Sequence, residues 1–342
     1  TSLRARAITA PRLAVVTHTS GRLDSYPSRE VKLTDPFIVP RAHPTVWPDN
    51  GIAHALTKAQ LESFDRDGFL ILKDMFTEDE VREMQKTVER LRLDAEAGPE
   101  GGNVIFEPNT HYVRSLFAPH KEDHIVGRTC RSEKVVNVAK TILQDDVYIH
   151  QSRINFQRAF VGTGFYWHSD FETWHAEDGM PLPRCFSTII PLSRNVAANG
   201  ALMVIPGSHK KFIRCPGEVP EENWNSSLKE QQSTGVPDHS SFKRLAAECG
   251  EPVHLEGEPG SMIIFDCNLM HGSHSNISHF DRCNVFFVFN ALSNKLDAPF
   301  AKSPSQRPER IAVRDPKWVQ PLQMESKRCD VLITNTSCVV HE

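Results

Sequence analysis

From about residue 147 onward the chain breaks into short apolar runs bounded by Gly, Pro or Asn: Val147 to His150, Phe186 to Leu192, Ala201 to Ile205, Met262 to Phe265 and Asn284 to Asn290. Val-, Ile- and Phe-rich runs of strand length, separated by turn formers, predict many short strands, and hence a sandwich or barrel. Helices are expected ahead of this sheet. Thr57-Lys-Ala-Gln60 and Thr77-Glu-Asp-Glu80 each set a hydroxyl three residues before Gln or Glu, the spacing at which side chain and backbone satisfy each other at a helix start. Between them Asp67-Gly68 turns into the strand-sized run Phe69 to Leu72. In the second helix Val81, Met84, Val88 and Leu91 recur at three- and four-residue intervals, a stripe that packs on a sheet. The expected fold class is therefore mainly β with flanking helices.

A chain of 342 residues suits one large domain or two modest ones at about 100–200 residues each. Residues 1–53, rich in Pro, Arg and Thr and without periodicity, read as an extended arm that wraps a domain spanning 54–317. Within it, 207–258 is polar and irregular with one helix near Ser240 to Cys249, and reads as an insertion between core strands; 318–342 has no clear packing pattern and reads as a flexible tail to which no function is assigned. The first 22 residues hold four arginines and no acid, yet their Pro, Gly and Ser fit a disordered tail better than an organellar leader.

The balance of 39 basic against 43 acidic residues, net −4, lacks the electrostatic footprint of a nucleic-acid or anionic-membrane partner. No apolar run approaches the ~20 residues that span a bilayer. Eight scattered cysteines without CxxC spacing point to a reducing compartment rather than a disulfide framework. The Asn-x-Ser/Thr sequences at Asn225, Asn276 and Asn335 have no apolar leader ahead of them and read as chance.

The stretch that carries chemistry is Phe165-Tyr-Trp-His-Ser-Asp-Phe-Glu-Thr-Trp-His175. If its first half is a strand, period-two geometry sends His168 and Asp170 to one face, where an imidazole and a carboxylate can grip one metal ion. Met270-His271-Gly272-Ser273 supplies a third candidate ligand, His271. Two imidazoles and a carboxylate on one face of a metal leave positions open, the arrangement of non-haem Fe(II) oxygenases, whereas zinc prefers a closed or four-coordinate site. Either histidine alone would read as an ordinary hydrogen-bonded residue. Arg282, shortly after His271, changes the weighting, because a buried guanidinium there could take the far carboxylate of a dicarboxylic acid by a two-pronged contact. HxD, a distant His and a following Arg form the signature of 2-oxoglutarate-dependent oxygenases.

Longer runs carry a more specific likeness. His168-Ser-Asp-Phe-Glu-Thr-Trp-His-Ala-Glu-Asp-Gly-Met180, Asn199-Gly-Ala-Leu-Met-Val-Ile-Pro-Gly-Ser-His209 and Phe265-Asp-Cys-Asn-Leu-Met-His-Gly-Ser273 resemble the ectoine hydroxylases, a family of the phytanoyl-CoA dioxygenase superfamily. The likeness runs from about Tyr26 to Arg314 and includes Ile149 to Phe156. It implies a double-stranded β-helix (jelly-roll, cupin-like) core, with His168, Asp170 and His271 as iron ligands. Arg153, Phe165, Ser187, Ser273 and Arg282 match positions around 2-oxoglutarate. Gln151, Asn155, Trp174, Phe265, Phe286 and Arg307 match the substrate pocket. An Arg for the carboxylate of ectoine, aromatic walls for its ring and delocalised cation, and amides for its N–H groups form a complementary set. The resemblance implies an enzyme that hydroxylates ectoine to 5-hydroxyectoine with Fe(II), 2-oxoglutarate and O2, releasing succinate and CO2, as a cytoplasmic, stress-protective homodimer.

Other readings stay open on the residues alone. Another small zwitterion such as L-proline would suit the same pocket chemistry. A non-catalytic jelly-roll module that binds a ligand would retain its histidines by chance, and a zinc hydrolase is disfavoured by the lack of HExxH. The chain also departs from the family pattern. Ala201 stands where proline is common, Arg184-Cys-Phe-Ser187 replaces Arg-Ala-Leu-Ser, and the segment of Gln306-Arg307 is one residue longer, so a displaced Arg307 would lose its match. His209 reads as closing a turn and Glu172 and His175 as anchoring the ligand loop by hydrogen bonds, while Glu107 to Phe117 resembles a segment near the family's active site and reads equally as a loop-to-strand connection.

Overall fold

Both expected capping boxes form. Thr57 and Gln60 cap the helix Lys58–Asp67, Thr77 and Glu80 cap Glu78–Glu96, and each accepts the other's backbone N–H. The computed structural model of the protein describes residues 16–17, 23–29, 38–229, 234–303 and 305–317. The tail expected over 318–342, and the parts of the arm at 1–15, 18–22 and 30–37, lie outside the described residues.

Gly68 ends the first helix in the left-handed region, at φ +81, and a Cβ there would run into the His209 ring. Only glycine allows that close turn into the strand Phe69–Leu72. This strand begins a seven-stranded antiparallel sheet that continues through Met262–Asp266, Cys185–Pro191, Arg282–Ala291, Val147–Gln157, Val113–Phe117 and Val104–Phe106. A second antiparallel sheet runs Val253–Leu255, Leu202–Val204, His271–Ser273 and Phe165–His168. Core strands alternate between the sheets along the chain except at Leu202–Val204 and Val253–Leu255, which follow one another in the smaller sheet, and this is the double-stranded β-helix implied by the family likeness.

The large sheet is buried on both faces. Its outer face packs Ile154, Phe186, Ile264 and Phe287 against Phe64, Met84, Val88 and Ile142 of the flanking helices. Each such side chain contributes about 1.5–3 kcal/mol when fully buried. The inner face sets Ile189, Ile263, Phe265 and Phe286 toward Val204 and Leu255 of the smaller sheet.

Three differences from the sequence reading have physical causes. The strand expected over Val147 to His150 continues to Gln157, because Gln151, Arg153 and Asn155 alternate with buried neighbours and turn toward the interior between the sheets. A helix over Glu133–Leu143 closes the core where no helix was expected. The arm does more than wrap: Tyr26 is fully buried edge-on to Phe171 and Phe212, and Ile38–Pro40 pairs with Lys211–Ile213. The stretch 207–258, expected as an insertion between core strands, holds Lys211–Ile213 and the helices Asn223–Lys229 and His239–Cys249 but ends inside the core, because Val253–Leu255 pairs with Leu202–Val204 in the smaller sheet. The six cysteines among the described residues are free thiols, and no helix of the described residues is long and apolar enough to cross a membrane.

Candidate metal and substrate site

His168 closes the strand Phe165–His168, and antiparallel pairing sets it directly opposite His271. Asp170 is not on that strand, as the period-two reading required; it is the first residue of the short helix Asp170–Thr173. The chain turns at Ser169, whose hydroxyl donates to Asn268 Oδ1 at 3.0 Å, and this turn brings the carboxylate back to the imidazoles. One donor atom from each of His168, Asp170 and His271 lies within 4.8 Å of the others. The separations are 3.6 Å from His168 Nε2 to Asp170 Oδ1 and 3.8 Å from His271 Nε2 to Asp170 Oδ2.

The Nδ1 atoms are already committed, His168 donating to Tyr166 O at 2.6 Å and His271 to Leu269 O at 2.8 Å. That fixes the tautomer and leaves both Nε2 atoms as bases aimed at one point. Burial, reinforced by His168, pulls the His271 imidazole down to about 4, so it stays neutral, the form a metal requires. Burial pushes the Asp170 carboxyl upward, but His271, His168 and Arg153 outweigh it and hold the group well below the usual carboxylate range. Two imidazoles and one carboxylate on one face are a donor set that fits Fe(II) with positions left open.

These ligands open on a cavity of about 90 Å³. Thirteen of the fourteen residues singled out from the sequence line it: Gln151, Arg153, Asn155, Phe165, His168, Asp170, Trp174, Phe265, His271, Ser273, Arg282, Phe286 and Arg307. Ser187 is the exception, standing behind Asp170 with its hydroxyl 3.4 Å from Oδ2. The extra residue near Gln306 does not displace Arg307 from the wall, where it pairs with Asp178 at 3.2 Å. Arg282 donates to Gly200 O, and Arg153 donates to Gln151 Oε1 at 3.0 Å and lies over the Phe286 ring. Each keeps a buried Nε without a hydrogen-bond partner, and no carboxylate among the described residues forms an ion pair with either. Burial lowers both, Arg282 to about 10 with Arg114 adding to the effect, so the site presents guanidinia that an anion would relieve.

Glu107 and Arg114, on the loop-to-strand connection, prove to be a buried pair at 2.9 Å; Arg114 also donates to Gly164 O at 3.0 Å and covers the Phe165 ring at 4.0 Å. They set the strand that carries His168. His209 faces Asp65 O at 3.0 Å and closes a turn. Glu172 and His175 tie the ligand loop to the arm, through Ser28 and Arg29 and through Asp24. The sequence reading missed Thr173, Glu177, Ile189, Leu202, Asn223, Trp224, Ser227 and Leu228 in the wall. A tryptophan at 224 in an otherwise polar stretch was the available signal; Ile189 and Leu202 look like any strand residue.

The model of the phytanoyl-CoA dioxygenase (PhyH) family matches residues 64–283. The ectoine dioxygenase of Sphingopyxis alaskensis is 44% identical over 277 residues, covering 81% of this chain and 89% of that protein. That of Bordetella parapertussis is 44% identical over 301 residues, covering 87% and 96%. The crystal structure of EctD from S. alaskensis with 2-oxoglutarate and 5-hydroxyectoine superposes with a TM-score of 0.77 at 40% identity, over 88% of this chain and 99% of that one. More distant neighbours, such as the non-heme alpha ketoglutarate dependent carbocyclase SnoK at 14% identity and a TM-score of 0.54, share the fold. With a jelly-roll core, a two-histidine, one-aspartate cluster and identities of this size over most of its length, the chain belongs to the phytanoyl-CoA dioxygenase family, within its group of ectoine dioxygenases.

Proposed function

We propose that this protein hydroxylates ectoine to 5-hydroxyectoine with Fe(II), 2-oxoglutarate and O2, releasing succinate and CO2. The observation that carries the reading is one cavity in which the His168, Asp170 and His271 cluster meets two buried guanidinia that lack a carboxylate partner. The two relatives named for this substrate, and the related crystal structure that holds 2-oxoglutarate with 5-hydroxyectoine, support it.

His168, Asp170 and His271 would hold the iron, which when bound supplies O2 activation coupled to decarboxylation of 2-oxoglutarate. Arg282 takes the far carboxylate of the cosubstrate, with Arg153 and Ser273 beside it and Phe165 packed against it. Ser187 acts one step back, on Asp170. Trp174, Phe265 and Phe286 wall the ring of the substrate, Arg307 takes its carboxylate, and Gln151 and Asn155 offer amides to its N–H groups. The contribution of the protein is placement: one C–H bond is held toward the metal while water and rival bonds are kept out.

The catalytic unit in this proposal is 54–317, served by the arm 1–53, and it works as a cytoplasmic homodimer in stress protection. The test is anaerobic loading with Fe(II) and 2-oxoglutarate, then O2 with ectoine or L-proline in parallel. One 5-hydroxyectoine per succinate is expected. Faster coupled turnover of L-proline would reassign the substrate, and absence of both products would leave a binding module. Light scattering of the purified chain checks the dimer.

A further inference from the structure

The charged groups at and behind the wall that carries Glu177 and Arg307 do not balance in pairs. On one flank Asp178, fully buried, faces Arg307 at 3.2 Å, Arg314 at 3.7 Å and His150 at 3.5 Å. Two guanidinia therefore share one carboxylate, and Arg307 keeps Nε and Nη1 buried without a hydrogen-bond partner. On the other flank the ratio is reversed. Arg29 grips both oxygens of Glu172, each at 2.7 Å, and donates to Glu177 Oε1 at 2.9 Å, so one guanidinium serves two carboxylates. All three side chains are at most 2% exposed. The Arg307 group carries a surplus of positive charge and the Glu177 group a surplus of negative charge; Arg307 is near enough to act on the Glu177 carboxyl, but no ion pair joins the two side chains, and unpaired charge is costly there.

Glu177 lines the cavity, whereas Glu172 does not. Asn223 Nδ2 also donates to Glu177 Oε1, at 2.8 Å, so its contacts gather on one oxygen; Oε2 has no hydrogen-bond donor among the described residues. Besides Asp170, committed to the metal cluster, Glu177 is the one carboxylate in the described wall. Burial pushes its carboxyl upward, a cost that a proton or an arriving cation would relieve.

We propose that Glu177 is the residue that receives the cationic end of the substrate, so that a small zwitterion lies with its carboxylate on Arg307 and its delocalised cation between Glu177 and the ring of Trp174. The turn Trp174–Asp178 supplies all three parts, with Trp174 as the cation–π wall, Glu177 as the counter-ion, and Asp178 as the group that positions Arg307. This assignment rests on the hydroxylase reading for the class of substrate and adds its specificity: a ring carboxylate without a cation should bind poorly.

Glu177→Gln keeps an oxygen for Arg29 and Asn223 and removes only the charge. Titration calorimetry on the full chain, loaded anaerobically with Fe(II) and 2-oxoglutarate, should show ectoine binding weakened about tenfold or more. Binding of 2-oxoglutarate, and inhibition by L-pyroglutamate, a neutral-ring carboxylate, should stay within about twofold. Glu177→Asp should retain a preference for the zwitterion. Wild-type affinity for ectoine in Glu177→Gln, or equal loss of all three ligands with a lowered melting temperature, would overturn the assignment alone. If Glu177→Gln does not fold, the wild-type protein decides: L-pyroglutamate binding as tightly as ectoine overturns it. Failure of the wild-type protein to bind ectoine overturns the hydroxylase reading and this assignment together.

Discussion

On one side of the cavity His168 and His271 face each other across a ladder of backbone hydrogen bonds, and Arg153 and Arg282 stand on the two longest strands of the large sheet. On the other side Trp174, Glu177 and Arg307 sit on a helical turn and a loop that belong to neither sheet. The first side is held by pairing register, which a single side chain hardly alters. The second is held by ion pairs to distant segments, above all Arg29 of the arm, and each depends on one or two side chains. Both imidazoles and both guanidinia of the first side stand on sheet strands, whereas Trp174, Glu177 and Arg307 stand outside both sheets, where ion pairs act together with a few backbone bonds such as Ala301 N–H to Ala176 O.

The largest effect expected is from Asp170→Ala, at the carboxylate that joins the two histidines from a helix start: Fe(II) binding and succinate production fall to background while the fold survives, checked by metal analysis and circular dichroism. Near-normal turnover would remove Asp170 from the metal and end the contrast between the halves. Next, Arg29→Ala strips Glu172 and Glu177 of their shared partner and should cost about 3–5 kcal/mol of stability, read by denaturant unfolding. A loss below about 1 kcal/mol would mean that the substrate half does not depend on the arm.

Arg282→Ala should raise the KM for 2-oxoglutarate roughly ten- to a hundredfold, the loss of about 1.5–3 kcal/mol for a charge-assisted contact, and leave the KM for ectoine nearly unchanged. Equal rises in both constants would show that the halves are not separable. The smallest effect belongs to Ser187→Ala, which removes one contact at 3.4 Å to Asp170 and should weaken Fe(II) binding by no more than about tenfold. A larger change in the 2-oxoglutarate constant than in the iron constant would move Ser187 from the metal side to the cosubstrate.

The alternation of polar and apolar residues misled where it met the cavity. Gln151, Arg153 and Asn155 look like the end of a strand because a strand face is usually either apolar or exposed; here it is polar and buried, satisfied by Ile311 O, by Gln151 Oε1 and by Ser115. Asp170 was assigned to the correct cluster through the wrong local geometry. HxD spacing fits a strand, yet the carboxylate arrives from a helix start, and either route places it beside His168.

By itself the sequence determined the short-strand architecture, both capped helices and, through HxD, the distant His271 and the following Arg282, the chemistry of the centre. These are local patterns, in which residue type and spacing carry the information without knowledge of what lies opposite. Only the tertiary structure decided that Ser187 stands behind Asp170, that the lengthened segment still delivers Arg307, and that the helix Asn223–Lys229 and Glu177 join the wall. Those facts depend on which segments far apart in the chain come to share a buried charge, and a charge balance among Arg29, Glu172, Glu177, Asp178 and Arg307 exists only once folding has brought them out of water together.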